Sequence, residues 1–336
     1  MTFLSRASGS LLALALACWA NSSAAQSSLT ISGVLDLGLS RSDSGSAQNP
    51  GAGTRGSTLL KQGSASRLGI RGNEDLGGGL YAGFELEHRF LADTGEQDSD
   101  AFFQAVSVVK LGSLSWGELY LGRKIVPAYS LSCEADPTCW SYTSQLGRPY
   151  AWANYSGSAA SDNSSVRRNN TVGYRSPTLA GWSSEIAYAY GEGERKRSLG
   201  ANLEYRQGPV YLGLGYDGAD AKNRLLLAAV GYGFGMVRPL LLMADAKGGP
   251  TTPGYRGQSA SLSFVFPTAW GRMFAGLGHL RSRATPADGE ERSTKLFLGG
   301  DYNLSRRTTL YVNFGSARTT GLTSSNAYDA GIRHAF

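Results

Sequence analysis

Tyr328-Asp-Ala-Gly-Ile-Arg-His-Ala-Phe336 closes the chain as one alternating strand that ends on an aromatic residue. Successive side chains on a strand point to opposite faces. Tyr328, Ala330, Ile332, His334 and Phe336 therefore share one face, and Asp329, Gly331, Arg333 and Ala335 share the other. Chain ends usually fray into solvent. A strand with an aromatic in last place needs a partner for its backbone and an apolar medium for that ring. Both needs are met where the last strand of a barrel closes against the first and turns its apolar face to lipid.

The other end points to the same compartment. Met1 to Ala25 has a basic start at Arg6, an apolar run from Leu11 to Ala20, and the small residues Ser23-Ala24-Ala25 before Gln26. This is the pattern of a secretory signal peptide, too short to span a bilayer as a helix. Its removal takes away Arg6 and Cys18, so the net charge of +6 becomes +5 and Cys133 and Cys139 remain. The expected division is a leader over 1–25 and one transmembrane barrel over 26–336.

Forty-five glycines and 17 tyrosines against 11 prolines suit many short strands joined by tight turns. No stretch after the leader approaches the roughly 18 apolar residues of a membrane helix. Ten-residue segments of alternating polarity recur instead. Leu29, Ile31, Leu35, Leu37 and Leu39 alternate with Thr30, Ser32, Asp36 and Ser40; Val210, Leu212 and Leu214 with Tyr211; Leu310, Val312 and Phe314 with Tyr311 and Asn313. That length crosses the hydrocarbon as a tilted strand. Short connections at 73–79, 111–117, 208–209 and 305–306 contrast with long polar ones at 41–64, 91–99, 124–169 and 247–258, as periplasmic turns contrast with external loops. At roughly 20 residues per strand and connection, about 16 strands are expected. The segments around Val172, Arg224, Val237 and Met273 alternate poorly, which suggests subunit contacts with two apolar faces.

The connection at 124–169 is long enough to be functional, and a barrel of this size is open water unless something folds inward. It holds Cys133 and Cys139, an even pair in an oxidising compartment, for which a disulfide is expected; buried or reduced thiols are the alternative. Closing so small a ring contributes roughly 2 kcal/mol.

These residues resemble the general porins of Gram-negative bacteria, in particular the trimeric, anion-preferring porins of beta-proteobacteria. The resemblance runs through Ser66-Arg-Leu-Gly-Ile-Arg-Gly-Asn-Glu-Asp-Leu-Gly-Gly-Gly-Leu80, Leu121-Gly-Arg-Lys-Ile-Val-Pro127, Arg168-Asn-Asn170 and Gly331-Ile-Arg-His-Ala-Phe336. It implies a 16-stranded antiparallel barrel, a homotrimer, and a third external loop folded into the pore. It also implies an arginine ladder facing acidic groups. Arg67 and Arg167 match ladder positions, Glu87 matches the wall carboxylate, and Asp136 falls near the loop acid. A further arginine expected near Ala105 or Val106 is missing. Phe336 matches the terminal aromatic that barrel assembly machinery recognises.

Alternation independently sends Arg67, Arg71, Glu85, Glu87 and Arg89 inward, opposite Leu68, Ile70, Phe84 and Leu86. Arg71 and Glu85 are thus further candidates for the constriction, although any water-filled barrel has polar walls. Gly213-Leu-Gly-Tyr-Asp-Gly218 fits a dinucleotide fingerprint but lies in a strand and opens no helix. The sequence has no basic, aromatic-rich run for nucleic acid, and its three histidines are too scattered for a zinc site. The function expected is a passive channel for small hydrophilic solutes and anions, embedded in outer-membrane lipid, without cofactor, metal or catalytic residues. The alternatives are a barrel protease or phospholipase, which needs a histidine beside a carboxylate or serine, and an adhesin acting through external loops.

Overall fold

The computed structural model describes residues 27–47, 56–156, 166–191, 197–248, 253–285 and 288–336. The expected leader lies outside the described residues. The first strands are β1 (Ser27–Ser42), β2 (Thr58–Lys61), β3 (Ser66–Gly77), β4 (Leu80–Phe90), β5 (Val106–Ser113) and β6 (Gly117–Ile125). Two short helices follow, α1 (Tyr129–Ala135) and α2 (Gly147–Ala151). The wall continues with β7 (Arg167–Arg175), β8 (Trp182–Ala189), β9 (Ser198–Gln207), β10 (Val210–Asp220), β11 (Asn223–Tyr232) and β12 (Arg238–Lys247). It ends with β13 (Arg256–Thr268), β14 (Gly271–Arg283), β15 (Glu291–Asn303), β16 (Thr308–Thr319) and β17 (Ser325–Ala335).

Each strand pairs antiparallel with its neighbours, and β1 pairs with β17 and with β3, closing the sheet on itself. The short β2 pairs with the upper part of β1 (Gly38–Arg41) while β3 pairs with the lower part (Ser27–Val34). They share one place in the wall, so the barrel has sixteen strands. At the seam the last residue is held from both sides, with N–H···O bonds of 3.1 Å from Phe336 to Gly33 and from Gly33 to Phe336. The Phe336 ring lies over Gly33, where a Cβ would come 2.4 Å from Cζ. Any larger residue at position 33 displaces the ring.

Burial is inverted relative to a soluble sandwich. Leu29, Ile31, Leu35 and Leu39 on β1, Leu296 and Leu298 on β15, and Leu310 and Val312 on β16 are exposed, whereas Asp36, Ser40, Ser293, Lys295 and Asn313 on the same strands are buried. An apolar outside over a polar inside suits a lipid surround. Amphipathic rings gather at the short-turn end. Trp182 packs at a tilt against Tyr205 at 4.9 Å, Trp270 stacks on Tyr302 at 5.7 Å, and the Tyr174 hydroxyl donates to the Trp116 carbonyl at 2.6 Å. Rings with one apolar body and one polar tip belong at the membrane interface.

The bounds of two expected connections are corrected by the structure. The connection at 41–64 contains β2, and the long loop spans residues 126–166, because Lys124, Arg167 and Asn169 belong to strands. The poorly alternating segments at Val172, Arg224 and Met273 are ordinary wall strands, while Val237 lies in the turn before β12. The inner faces of β11, β12 and β14 are apolar where the long loop covers them. Leu225, Leu227, Leu240, Leu242, Phe274 and Leu280 share one buried cluster with Leu131, Leu146 and Trp152 of the long loop.

Candidate functional site

The long loop is laid along residues whose parity is opposite to the exposed apolar set. On β10 and β14 the wall is smoothed by glycine: a Cβ on Gly213 would stand 2.9 Å from Leu131 Cγ, and one on Gly278 would stand 2.6 Å from Tyr150 Cβ. The run 213–218 that resembles a dinucleotide fingerprint is thus a docking strip for α1. Farther along, the Ser263 hydroxyl donates to the Ala135 carbonyl at 2.7 Å, and Lys295 donates to the Gln145 carbonyl at 2.5 Å. Beyond α1 the loop reaches the closing seam. Thr143 N–H donates to Asp329 at 2.6 Å and the Ser144 hydroxyl bonds Asn313 at 2.8 Å.

The interruption between β2 and β3 receives this segment. Tyr142 N–H donates to the Gly63 carbonyl at 2.8 Å, and its hydroxyl donates to Asp36 at 3.1 Å. Asp36 also accepts from Gly63 N–H, the Ser64 hydroxyl and the Tyr311 hydroxyl, at 3.0, 2.5 and 2.8 Å. A broken strand leaves backbone donors that need acceptors. The buried Asp36 carboxylate satisfies them and fastens the loop at once.

Inside the loop, Asp136 is the organiser. It is 1% exposed. One oxygen accepts from Thr138 N–H and Thr138 Oγ1 at 2.9 and 2.8 Å, the other from Trp140, Leu146 and Gly147 N–H at 3.2, 2.8 and 3.3 Å. Burial pushes its carboxyl above the usual carboxylate range, against the opposing pull of these donors. Asp136 does not line the pore as the family pattern implies, because its five donors hold the carboxylate within the loop. Cys133 and Cys139 are joined by a disulfide that brackets it. Cys139, Trp140 and Tyr142 have φ values of 47°, 62° and 63°. Such left-handed backbone is uncommon outside glycine and is held here by surrounding bonds. Trp140 and Trp152 pack edge to face at 5.7 Å and both meet Tyr129. Burial pushes the Tyr129 hydroxyl up to about 12.

The arginines stand on β3, β4, β7 and β17. Register sets Arg67 opposite Arg89, Gly69 opposite Glu87, and Arg71 opposite Glu85. Gly69 leaves space over Glu87, which approaches Arg89 at 2.9 Å and Arg67 at 3.9 Å. Arg67 lies within electrostatic reach of Arg333, whose guanidinium donates to the Tyr142 hydroxyl at 3.5 Å. Arg167 lies within electrostatic reach of Arg89, Arg123 and Glu87. Arg67, Arg89 and Arg167 thus lie within reach of the Glu87 carboxylate, and Arg333, opposite Asp36 across the seam, lies within reach of Arg67. Arg71 and Glu85 pair with each other at 3.1 Å, four residues nearer the short turns along β3, a separation of roughly 13 Å. They are a second step of the same wall.

Sequence reasoning left Arg89, Arg123 and Arg333 out of the constriction. Arg89 and Arg333 carry the inward parity and could have been included. Arg123 could not, because a register shift between Gly122 and Lys124 breaks the alternation there. Its Nε donates to the Gln104 carbonyl at 2.5 Å, beside the position near Ala105 where an arginine was expected. The same shift, with Asn170 at φ 53°, lets Arg168 reach Asp217 at 2.5 Å while Arg167 joins the arginine group.

The histidines are not arranged for catalysis. His88 stacks on Phe102 at 4.0 Å, His279 bonds the Thr294 hydroxyl at 2.8 Å, and His334 bonds the Thr308 hydroxyl at 2.9 Å. All three share the outward parity of the apolar set.

Comparison with known proteins agrees with this geometry. The sequence profile described as Gram-negative porin matches residues 10–322. Outer membrane porin protein 32 of Delftia acidovorans is 30% identical over 96% of this chain and 95% of its own. An outer membrane porin protein of Bordetella pertussis is 27% identical over 97% of this chain and 99% of its own. Among solved structures, an anion-selective porin from Comamonas acidovorans superposes with a TM-score of 0.73 at 28% identity, over 93% of this chain and all of the other. OmpF of Salmonella typhi shares the fold, at a TM-score of 0.67 and 12% identity over 93% and 98%. The chain belongs to the Gram-negative porin family: it is a multi-pass β-barrel of the bacterial outer membrane, a channel for passive diffusion and not an enzyme.

Proposed function

We propose that this porin prefers anions, and that the loop at 126–166 narrows its lumen against an arginine wall. The observation that carries the reading is that Arg67, Arg89 and Arg167 lie within reach of Glu87, with Arg333 within reach of Arg67. A guanidinium replaces part of an anion's hydration and presents a barrier to cations. Glu87 bridges Arg67 and Arg89 and keeps both extended rather than cancelling them. The anion selectivity named for the Comamonas relative supports the same sign.

Each charge in a water-filled waist is worth about 1 kcal/mol to an ion at ~4 Å. Arg67→Ala is therefore expected to lower the anion-to-cation permeability ratio several-fold. Reversal potentials in planar bilayers measure it; an unchanged ratio would remove Arg67 from the constriction. The functional unit proposed is a homotrimer that passes small hydrophilic and anionic solutes. We further propose that residues 1–25 are removed on export and that Phe336 is the residue the barrel assembly machinery reads.

A further inference from the structure

The long loop sets rings, in place of carboxylates, toward the arginines of the wall. Its described residues 126–156 include two acids, Glu134 and Asp136. Asp136 is enclosed by its five donors. Glu134 turns to the short-turn end, where its two oxygens meet Arg238 at 2.6 Å and Arg206 at 2.8 Å. Both carboxylates are thereby engaged by groups other than Arg67, Arg89 and Arg167.

Tyr129 lies within electrostatic reach of Arg89 and Arg167, and Tyr142 within reach of Arg67 and, through its hydroxyl at 3.5 Å, of Arg333. Trp140 stands between the two tyrosines in the chain and packs edge to face on Tyr129 at 5.0 Å. Both rings are half-buried, and the wholly buried Trp152 backs them, 6.3 Å from Tyr129 and 5.7 Å from Trp140. The Trp140 backbone is held by its N–H bond to Asp136 and by the adjoining disulfide. The shelf is therefore preformed, and a solute that lies on it loses little affinity to ordering.

Across from the shelf, donors remain. A guanidinium carries five N–H groups, so the bonds from Arg89 Nε to Glu87 and from Arg67 Nη1 to the Ala65 carbonyl leave others for a solute. Chloride and short carboxylates can use only this cationic side. An anion with a flat apolar body can use both sides at once, its carboxylate in charge-assisted hydrogen bonds and its ring against the loop.

We propose that the waist favours aromatic carboxylates, with the carboxylate held by Arg67, Arg89 and Arg167 and the ring lying on Tyr129 and Trp140. This rests on the anion preference proposed above and names the solute class it serves.

The test records single channels of the full-length purified protein in planar bilayers in potassium chloride at neutral pH. Benzoate, acetate, cyclohexanecarboxylate and uncharged benzamide are added in turn, and the concentration that halves the chloride current is read for each. Benzoate is expected to block wild type at about a tenfold lower concentration than acetate, with cyclohexanecarboxylate between them and benzamide without block. In Trp140→Leu the ratio of acetate to benzoate blocking concentrations should fall toward one. That ratio is taken within each protein, so a change in conductance does not enter it. If the variant does not assemble, the four solutes on wild type still decide the matter. Equal block by benzoate and acetate, block by cyclohexanecarboxylate or benzamide as strong as by benzoate, or an unchanged ratio in Trp140→Leu would each overturn the proposal. The zero-current potential of the same channels separates the two readings. A potential favouring chloride together with equal block overturns the solute class alone, whereas one favouring potassium overturns the anion preference beneath it.

Discussion

Replacing Asp136 tests whether the loop is held by one buried carboxylate. In Asp136→Ala, four backbone N–H groups and one hydroxyl lose their acceptor inside a site that is 1% exposed. Each unsatisfied buried donor costs about 1–3 kcal/mol, so the loss reaches about 5 kcal/mol and the segment opens. In Asp136→Asn, the amide oxygen can serve Trp140, Leu146 and Gly147, and the Thr138 hydroxyl can turn to accept from the amide nitrogen. Only Thr138 N–H is orphaned, at a cost of about 1–3 kcal/mol that is partly offset because no charge is buried. Hydrogen exchange over residues 136–147 reads the difference, at about tenfold in rate per 1.4 kcal/mol. The alanine variant is expected to exchange some thousandfold faster than wild type, the asparagine variant ten- to a hundredfold. Because burial raises the Asp136 pKa, the folded loop holds a proton at pH values where the unfolded loop has lost it. The group's contribution to loop order is then complete in acid and declines as pH rises through the raised value. Wild type should show that trend and Asp136→Asn should not. Equal exchange in the two variants, or loop order that grows with pH through this group, would refute the reasoning.

Gly278→Val puts a branched side chain where even a Cβ would stand 2.6 Å from Tyr150. Overpacking of this kind costs about 1–3 kcal/mol and pushes α2 off the wall, so single-channel conductance should fall; a folded barrel with unchanged conductance would contradict the docking. Cys133→Ser with Cys139→Ser removes about 2 kcal/mol of ring-closure stabilisation. Open-channel noise should rise while mean conductance holds, and an unchanged noise spectrum would show that the disulfide adds nothing to the loop's order. Deleting Phe336 removes its two seam bonds and the ring over Gly33. The yield of assembled barrel should drop while surviving channels conduct normally, and a normal yield would count against the role proposed for the terminal aromatic.

The barrel is legible in the sequence because its code is local. Alternation on β1, β15 and β16 assigns each residue to lipid or lumen, and the contrast of turn and loop lengths separates the two ends. The code fails where a lumen face meets protein in place of water. Leu225, Leu227, Leu240 and Leu242 spoil the period because α1 covers them, a contact between segments about 90 residues apart. Arg123 escapes notice for a different reason, since one register shift at Gly122 reverses every later parity on its strand. The place of Asp136 in the chain suggests a pore acid. Only the convergence of donors from Thr138, Trp140, Leu146 and Gly147 shows its structural work, and most of those donors are backbone groups that carry no residue code. Arg67, Arg71, Glu85 and Glu87 fall on one face by alternation alone, because β3 and β4 run in strict register from Ser66 opposite Phe90 to Asp75 opposite Tyr81.

The most direct test of the central claim is the zero-current potential of the purified protein in a planar bilayer under a potassium chloride gradient. Stepwise conductance with a potential whose sign favours chloride is the predicted result, weakened by high salt as screening sets in. A potential favouring potassium would contradict the proposed selectivity of the arginine wall.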